Sequence, residues 1–259
     1  MGQWVKVTRE DSIGIVLIDN PPLNVLTASV MEELEQAVAD LDDAADVKAV
    51  IITGQGAQVF MAGADIKEIA KIDSAGKGEA LALKGQGVLD KIENSKKVFI
   101  AAINGVCLGG GTELAMACHL RIASDRSKIA QPEILLGIIP GFGGSQRLSR
   151  IVGQPKAREL LLTGDNITAQ EALRIGLINK VVPDGEVLKQ AVGLAKKIAA
   201  KSRRAIEMLQ EALLAGGKLP LTEALKLEAR LFGKICETED CKEGVRAFLE
   251  KRQPKFTDR

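Results

Sequence analysis

The chain has 259 residues, 46% hydrophobic and 27% charged, an ordinary globular mixture with enough apolar residues for a sizeable core. Lys and Arg number 35 against 34 Asp and Glu, a formal charge of +1, which gives no general electrostatic attraction to nucleic acid or an anionic membrane. Six Phe, one Trp and no Tyr argue against a stacking platform for bases and exclude a catalytic tyrosine.

Residues 1–11 are mixed and polar, without an apolar signal core, and no apolar run reaches the length of a membrane span. The expected location is therefore the cytoplasm. Cys107, Cys118, Cys236 and Cys241 form no C-x-x-C pair, and His119 is the one histidine, so no metal site is expected. The thiols read as reduced and mostly buried. A Cys118–His119 catalytic pair is disfavoured because adjacent side chains on a helix diverge.

In chain order, residues 4–8 and 13–18 read as short strands separated by a turn at 9–12. Asn20-Pro21-Pro22 ends that pattern. Val30, Leu34, Val38 and Leu41 recur at helical spacing and predict a helix over 29–41. Residues 47–53 form a continuous apolar strand, closed by Gly54-Gln55-Gly56. The loop 60–65 leads into a short helix near 66–70. The polar, glycine-containing stretch 73–78 reads as a mobile loop before a helix over 79–93. A buried strand at 98–103 follows, then a helix opened by Gly109-Gly110-Gly111 and running to about Cys118, then strands at 120–123 and 128–130. From about Asp184 helical patterns dominate, over 185–200, 202–215, 221–236 and 239–251. This order predicts an α/β core with covered sheets over 1–190 and a helical C-terminal region over 191–259. Strand–strand–helix order recurs without a convincing sequence repeat.

Gly54-Gln55-Gly56 lacks the third glycine of a dinucleotide fingerprint, since position 59 is Val, and reads as a turn. No G-x-x-x-x-G-K-[ST] occurs, which disfavours a P-loop nucleotide hydrolase. Ala62-Gly63-Ala64-Asp65 would let backbone approach a ligand closely. Three glycines at 109–111 weaken a helix start, and their use before an apolar helix implies that backbone there meets something closely. A helix N-terminus offers free N–H groups and partial positive charge to a developing oxyanion. Glu113, in that first turn, is either a favourably placed first-turn acid or a catalytic group beside such a site. Glu133 stands among Ile134, Leu135, Leu136, Ile138 and Ile139; apolar surroundings would raise its pKa for general acid–base work, while an exposed acid after Pro132 is the alternative. Residues 140–147 form another glycine-rich turn before a helix.

Taken together, Ala62-Gly63-Ala64-Asp65, Asn104-Gly105 with Gly109-Gly110-Gly111-Thr112-Glu113-Leu114, Gln131-Pro132-Glu133, and Gly141-Phe142-Gly143-Gly144-Ser145-Gln146-Arg147 closely resemble the crotonase superfamily. Within it the chain looks most like short-chain enoyl-CoA hydratases, over nearly its whole length. The resemblance implies a spiral of strand–strand–helix turns with a helical region that builds homotrimers, often paired into hexamers. It implies a lyase of fatty-acid β-oxidation type, with an acyl-CoA substrate and no metal or redox cofactor. It places an oxyanion hole at the N–H groups of Ala64 and Gly110, and the coenzyme A along Ala62, Ala64, Asp65, Ile66 and Lys67. Glu113 and Glu133 match the paired glutamates that clamp a water, with Glu113 as the main water activator and Glu133 as the proton donor at C2. By the same match Gly141 N–H helps hold the water, and Phe232 and Lys251 help enclose coenzyme A, including from a neighbouring subunit.

The sequence departs from the family at three places. Position 112 is Thr where relatives often have Cys, position 119 is His where Asp is common, and Val25 follows the retained Asn24 as a bulkier residue. The expected reaction is reversible hydration of short trans-2-enoyl-CoA to 3-hydroxyacyl-CoA. Rival readings are an enoyl-CoA isomerase, a hydratase of branched or carboxylated acyl-CoA, and a non-catalytic RNA-binding relative. Both carboxylates favour hydration over the single-base isomerase, and the neutral charge disfavours RNA.

Overall fold

The computed structural model describes residues 2–258. Among the described residues ten strands fall into two sheets. They are β1 (Val5–Glu10), β2 (Ile13–Ile18), β3 (Ala49–Gly54), β4 (Val59–Ala62), β5 (Val98–Ile103), β6 (Val106–Leu108), β7 (Leu120–Ser124), β8 (Lys128–Ala130), β9 (Ile167–Thr168) and β10 (Lys180–Val182). The larger sheet has the order β1-β2-β3-β5-β7-β10, parallel apart from the β1–β2 hairpin. The smaller has the order β4-β6-β8-β9, with β4, β6 and β8 parallel.

The two central strands of the large sheet, AVIITG and VFIAAI, are buried at every residue, as unbroken apolar runs demand of a sheet covered on both faces. Successive side chains point to opposite faces. Val50 and Ile52 therefore join the main core with Phe99 and Ala101, beneath the helices Ala28–Asp43 and Ala75–Glu93. Ala49, Ile51, Ile100 and Ala102 face the other way and are covered by Val187, Ala191 and Ala195 of the helix Val187–Ala199. The boundary expected at 190 falls inside this helix. Beyond it, Arg203–Gly216 and Leu221–Cys236 pack on each other and lead to Glu239–Leu249.

The chain advances as a spiral. β3 enters the large sheet, β4 the small one, and the helix Ala75–Glu93 follows; β5, β6 and the helix Gly110–Ala117 repeat that order, and β7 and β8 begin it again. Because β4, β6 and β8 are parallel, they end on the same edge. Ala62 pairs with Leu108, and Leu108 with Ala130, so the three ends stand side by side. The crevice outside the carboxyl ends of parallel strands is the usual ligand position in α/β folds.

Two segments differ from the sequence expectation. The stretch 73–78 is not a loop throughout: a helix starts at Ala75 with Ser74 before it. Residues 60–62, expected within a loop, belong to β4. Among the described residues no helix is long and apolar enough to cross a membrane.

Candidate active site

The ends of β4, β6 and β8 each deliver one part of the site. After β4 the chain runs through Gly63 to Ala64. Leu26 N–H donates to Gly63 O at 2.8 Å and Asp65 N–H to Leu26 O at 3.4 Å, while the Ala64 N–H between them meets no protein acceptor among the described residues. Asp65 caps the short helix Ile66–Ile69 by accepting from Lys67 N–H at 2.8 Å.

After β6 comes Gly109, with φ 51° and ψ −122°, a conformation that side chains oppose. Its N–H donates to Ala130 O at 3.0 Å, and its carbonyl accepts from Gln131 Nε2 at 2.8 Å. The Thr112 hydroxyl lies 2.8 Å from both Cys107 O and Ala130 O. These ties fix the start of the helix Gly110–Ala117. A Cβ on Gly110 would lie 3.5 Å from Ala64 N, so the two backbones stand side by side. As with Ala64, no described residue accepts from the Gly110 N–H. The sequence expectation brought these two groups together through the resemblance, and the geometry does so through strand register.

Glu113, one turn into that helix, is 2% exposed. Its Oε1 accepts from Phe142 N–H at 2.8 Å and Gly144 N–H at 2.7 Å. Burial pushes its pKa up to about 7, and the nearby Glu133 charge adds to the rise, against the pull of the two N–H groups and of Arg147. Glu133 follows β8 on the 3-10 helix Pro132–Leu136 and is half-buried. Its Oε2 is buried without a hydrogen-bond partner, and burial raises its pKa. The raised pKa was expected, but its cause lies elsewhere: Leu135, Leu136 and Ile139 are exposed, and Glu133 is buried against the Gly109 backbone instead.

A cavity of about 30 Å³ lies beside Ala64, walled by Leu26, Met31, Leu81, Gly85 and Phe142. Gly141 is on the same loop as Phe142, with its carbonyl held by Gln86 Nε2 at 2.8 Å. Ile66 and Lys67 are exposed at the rim, with Ala62 partly buried below. Phe232 and Lys251 are not part of this cluster: both are exposed in the C-terminal helical region, Lys251 with φ 55°.

The Phe142 and Gly144 donors escaped the sequence reading because they are backbone groups of a turn that resembled an ordinary helix cap. The Cys118–His119 alternative fails structurally. Burial pushes the Cys118 thiol up to about 12, and His119 Nδ1 accepts from Phe99 N–H at 2.9 Å.

The family model described as enoyl-CoA hydratase/isomerase matches residues 8–259. The chain belongs to the enoyl-CoA hydratase/isomerase family. It is 44% identical over 253 residues to a protein of Bacillus subtilis described as a probable enoyl-CoA hydratase, covering 97% of this chain and 98% of that one. It is 41% identical over 250 residues to the short-chain-enoyl-CoA hydratase of Clostridium acetobutylicum, covering 96% and 95%. The crystal structure of an enoyl-CoA hydratase from Bacillus anthracis superposes with a TM-score of 0.95 at 35% identity, covering 99% of this chain and all of that one. The crotonase-type fold expected from the sequence is thereby borne out.

Proposed function

We propose that this family member is a hydro-lyase that reversibly adds water to short-chain trans-2-enoyl-CoA, giving 3-hydroxyacyl-CoA. The observation that carries the reading is the meeting of two unpartnered N–H groups, Ala64 and Gly110, with two carboxyl groups of raised pKa, Glu113 and Glu133. The N–H pair accepts the thioester oxygen. As water attacks C3, the π electrons move toward that oxygen, and preorganised donors stabilise the resulting enolate without reorganising. Glu113 takes a proton from the attacking water. Glu133, whose pKa burial raises, gives its proton to C2 as the enolate collapses. The pair then exchanges one proton through solvent to reset, titrating as a coupled unit. Gly141 N–H helps place the water. The cavity beside Ala64 is walled by Leu26, Met31, Leu81 and Phe142, an apolar lining that suits the hydrocarbon part of an acyl chain.

The coenzyme A moiety runs along Ala62, Asp65, Ile66 and Lys67. Phe232 and Lys251 close over it, partly from a neighbouring subunit of a homotrimer or a hexamer of paired trimers. Exposed Leu209, Leu213, Phe248 and Leu249 on the C-terminal helices supply apolar surface for that assembly. The division into core and oligomerising region falls after the helix Val187–Ala199. The chemistry requires no metal or redox cofactor, and the working location is the cytoplasm.

The test is loss of conjugated-thioester absorbance on mixing the protein with crotonyl-CoA. Loss in the wild type that disappears in Glu133→Gln supports the reading. A folded wild type inert toward crotonyl-CoA and longer or branched enoyl-CoAs, yet active in double-bond migration, overturns it in favour of isomerisation.

A further inference from the structure

Of the two N–H groups that hold Glu113, that of Phe142 lies in a bend and that of Gly144 opens the helix Gly144–Val152. The helix Ala75–Glu93 stands behind this segment. Gln86, Asp90 and Glu93 follow one another at spacings of four and three, which puts them on one helical face. Gln86 Nε2 donates to Gly141 O at 2.8 Å. That carbonyl belongs to the same peptide unit whose N–H, on Phe142, donates to Glu113. The unit is thus held at both ends, in a chain of hydrogen bonds that polarise one another.

The next peptide is held in turn. Arg147 Nη1 donates to Phe142 O at 2.7 Å. Arg147 is 8% exposed, and its guanidinium is itself fixed from the far side, with Nε 2.9 Å from Glu93 Oε2 and Nη2 2.6 Å from Asp90 Oδ1. The third peptide presents Gly144 N–H to Glu113. Gly85 completes the seat: a Cβ there would fall 2.2 Å from the Phe142 ring, so the ring rests directly on the helix backbone.

We propose that Gln86 and Arg147 are positioning residues for hydration: anchored on one helical face, they fix the three consecutive peptides whose outer N–H groups grip Glu113. This rests on the hydratase reading for its link to turnover, though the grip itself does not. The charged groups near Glu113 are Glu133 across the cleft and Arg147 behind the loop, with Asp90 and Glu93 paired to Arg147. The loop N–H groups and Arg147 both favour the carboxylate form of Glu113, so loosening either raises the pH at which Glu113 becomes a base.

The experiment compares wild type with Gln86→Leu, Arg147→Lys and Asp90→Asn in kcat and KM for crotonyl-CoA from pH 5 to 9. The expected result is an ascending limb of kcat moved to higher pH by about one unit in Gln86→Leu. Arg147→Lys and Asp90→Asn move it the same way by less, and KM changes within about twofold because the oxyanion donors are untouched. Limbs that coincide with wild type, with only thermal stability lowered, overturn the proposal. Should Arg147→Lys fail to fold, Gln86→Leu and Asp90→Asn decide alone. The carboxyl infrared band of Glu113, identified by its loss in Glu113→Gln, provides a readout independent of turnover. A wild type that does not hydrate enoyl-CoA overturns the hydratase reading, while an upward shift of this band's titration in Gln86→Leu still upholds the clamp and an unshifted titration defeats it.

Discussion

Glu133 Oε1 stands 2.9 Å from the point to which a Cβ on Gly109 would project, so glycine and carboxyl group share one space. Gly109 also holds φ 51°, which an alanine would adopt only under strain. Gly109→Ala should therefore push Glu133 out of line and lower kcat on the order of 10- to 100-fold, a misplacement effect. Steady-state kinetics together with a melting curve check this. Wild-type kcat in a folded Gly109→Ala would remove Glu133's placement from the mechanism.

Glu113 links activity to stability. Its pKa rises from the ordinary 4.5 of a glutamate to about 7 because the folded protein buries it. Between those values the unfolded chain ionises this group while the folded protein keeps it protonated, so its contribution to stability falls as pH rises and levels off above pH 7. The full loss is on the order of 3 kcal/mol. Glu113→Gln removes that pH dependence. Relative to wild type the variant should gain stability between pH 4.5 and 7 while losing hydration. Denaturant titrations at pH 4.5 and pH 8 measure the difference, and a wild-type-minus-variant stability constant across that range would contradict a buried, protonated Glu113.

Asn24 pins the loop under the site. It is buried, with φ 52°; its Oδ1 accepts from Asn20 N–H at 3.1 Å, and its Nδ2 donates to Gln55 O at 3.0 Å and Val59 O at 3.1 Å. Asn24→Ala leaves those buried groups unpaired and should cost about 2–4 kcal/mol in urea unfolding. A loss below about 0.5 kcal/mol would show that the loop re-forms its bonds elsewhere.

The C-terminal region carries large apolar side chains in water, with Phe248 83% and Leu249 74% exposed. A chain that buries them between subunits should sediment as a trimer or hexamer. The double change Phe248→Asp and Leu249→Asp should shift it toward monomer. A monomeric wild type would leave the trimer reading without support.

The large sheet was readable because its central strands are unbroken apolar runs: 98–103 was placed to the residue, and 47–53 within two residues. Of the small sheet only β8, at 128–130, was readable. β6 has three residues and β9 two, too short to show a period, and β4 ends in small residues that resemble a loop. The site's outline survived that gap because Glu113, Glu133 and the glycines sit in motifs with fixed spacing. Backbone donors, and the side chains behind them, leave no comparable mark. Arg147 closes one of those motifs, but nothing in the sequence links it to Gln86, and only the tertiary structure brings both to the same loop.

With Glu113 Oε1 tied to two peptide N–H groups, Oε2 is left as the oxygen free to trade protons. A carboxyl group so fixed addresses a bound planar enoyl group from one side. On the hydration reading, oxygen then reaches only one prochiral face of C3. The product is a single enantiomer, and in the reverse direction its mirror image is not a substrate.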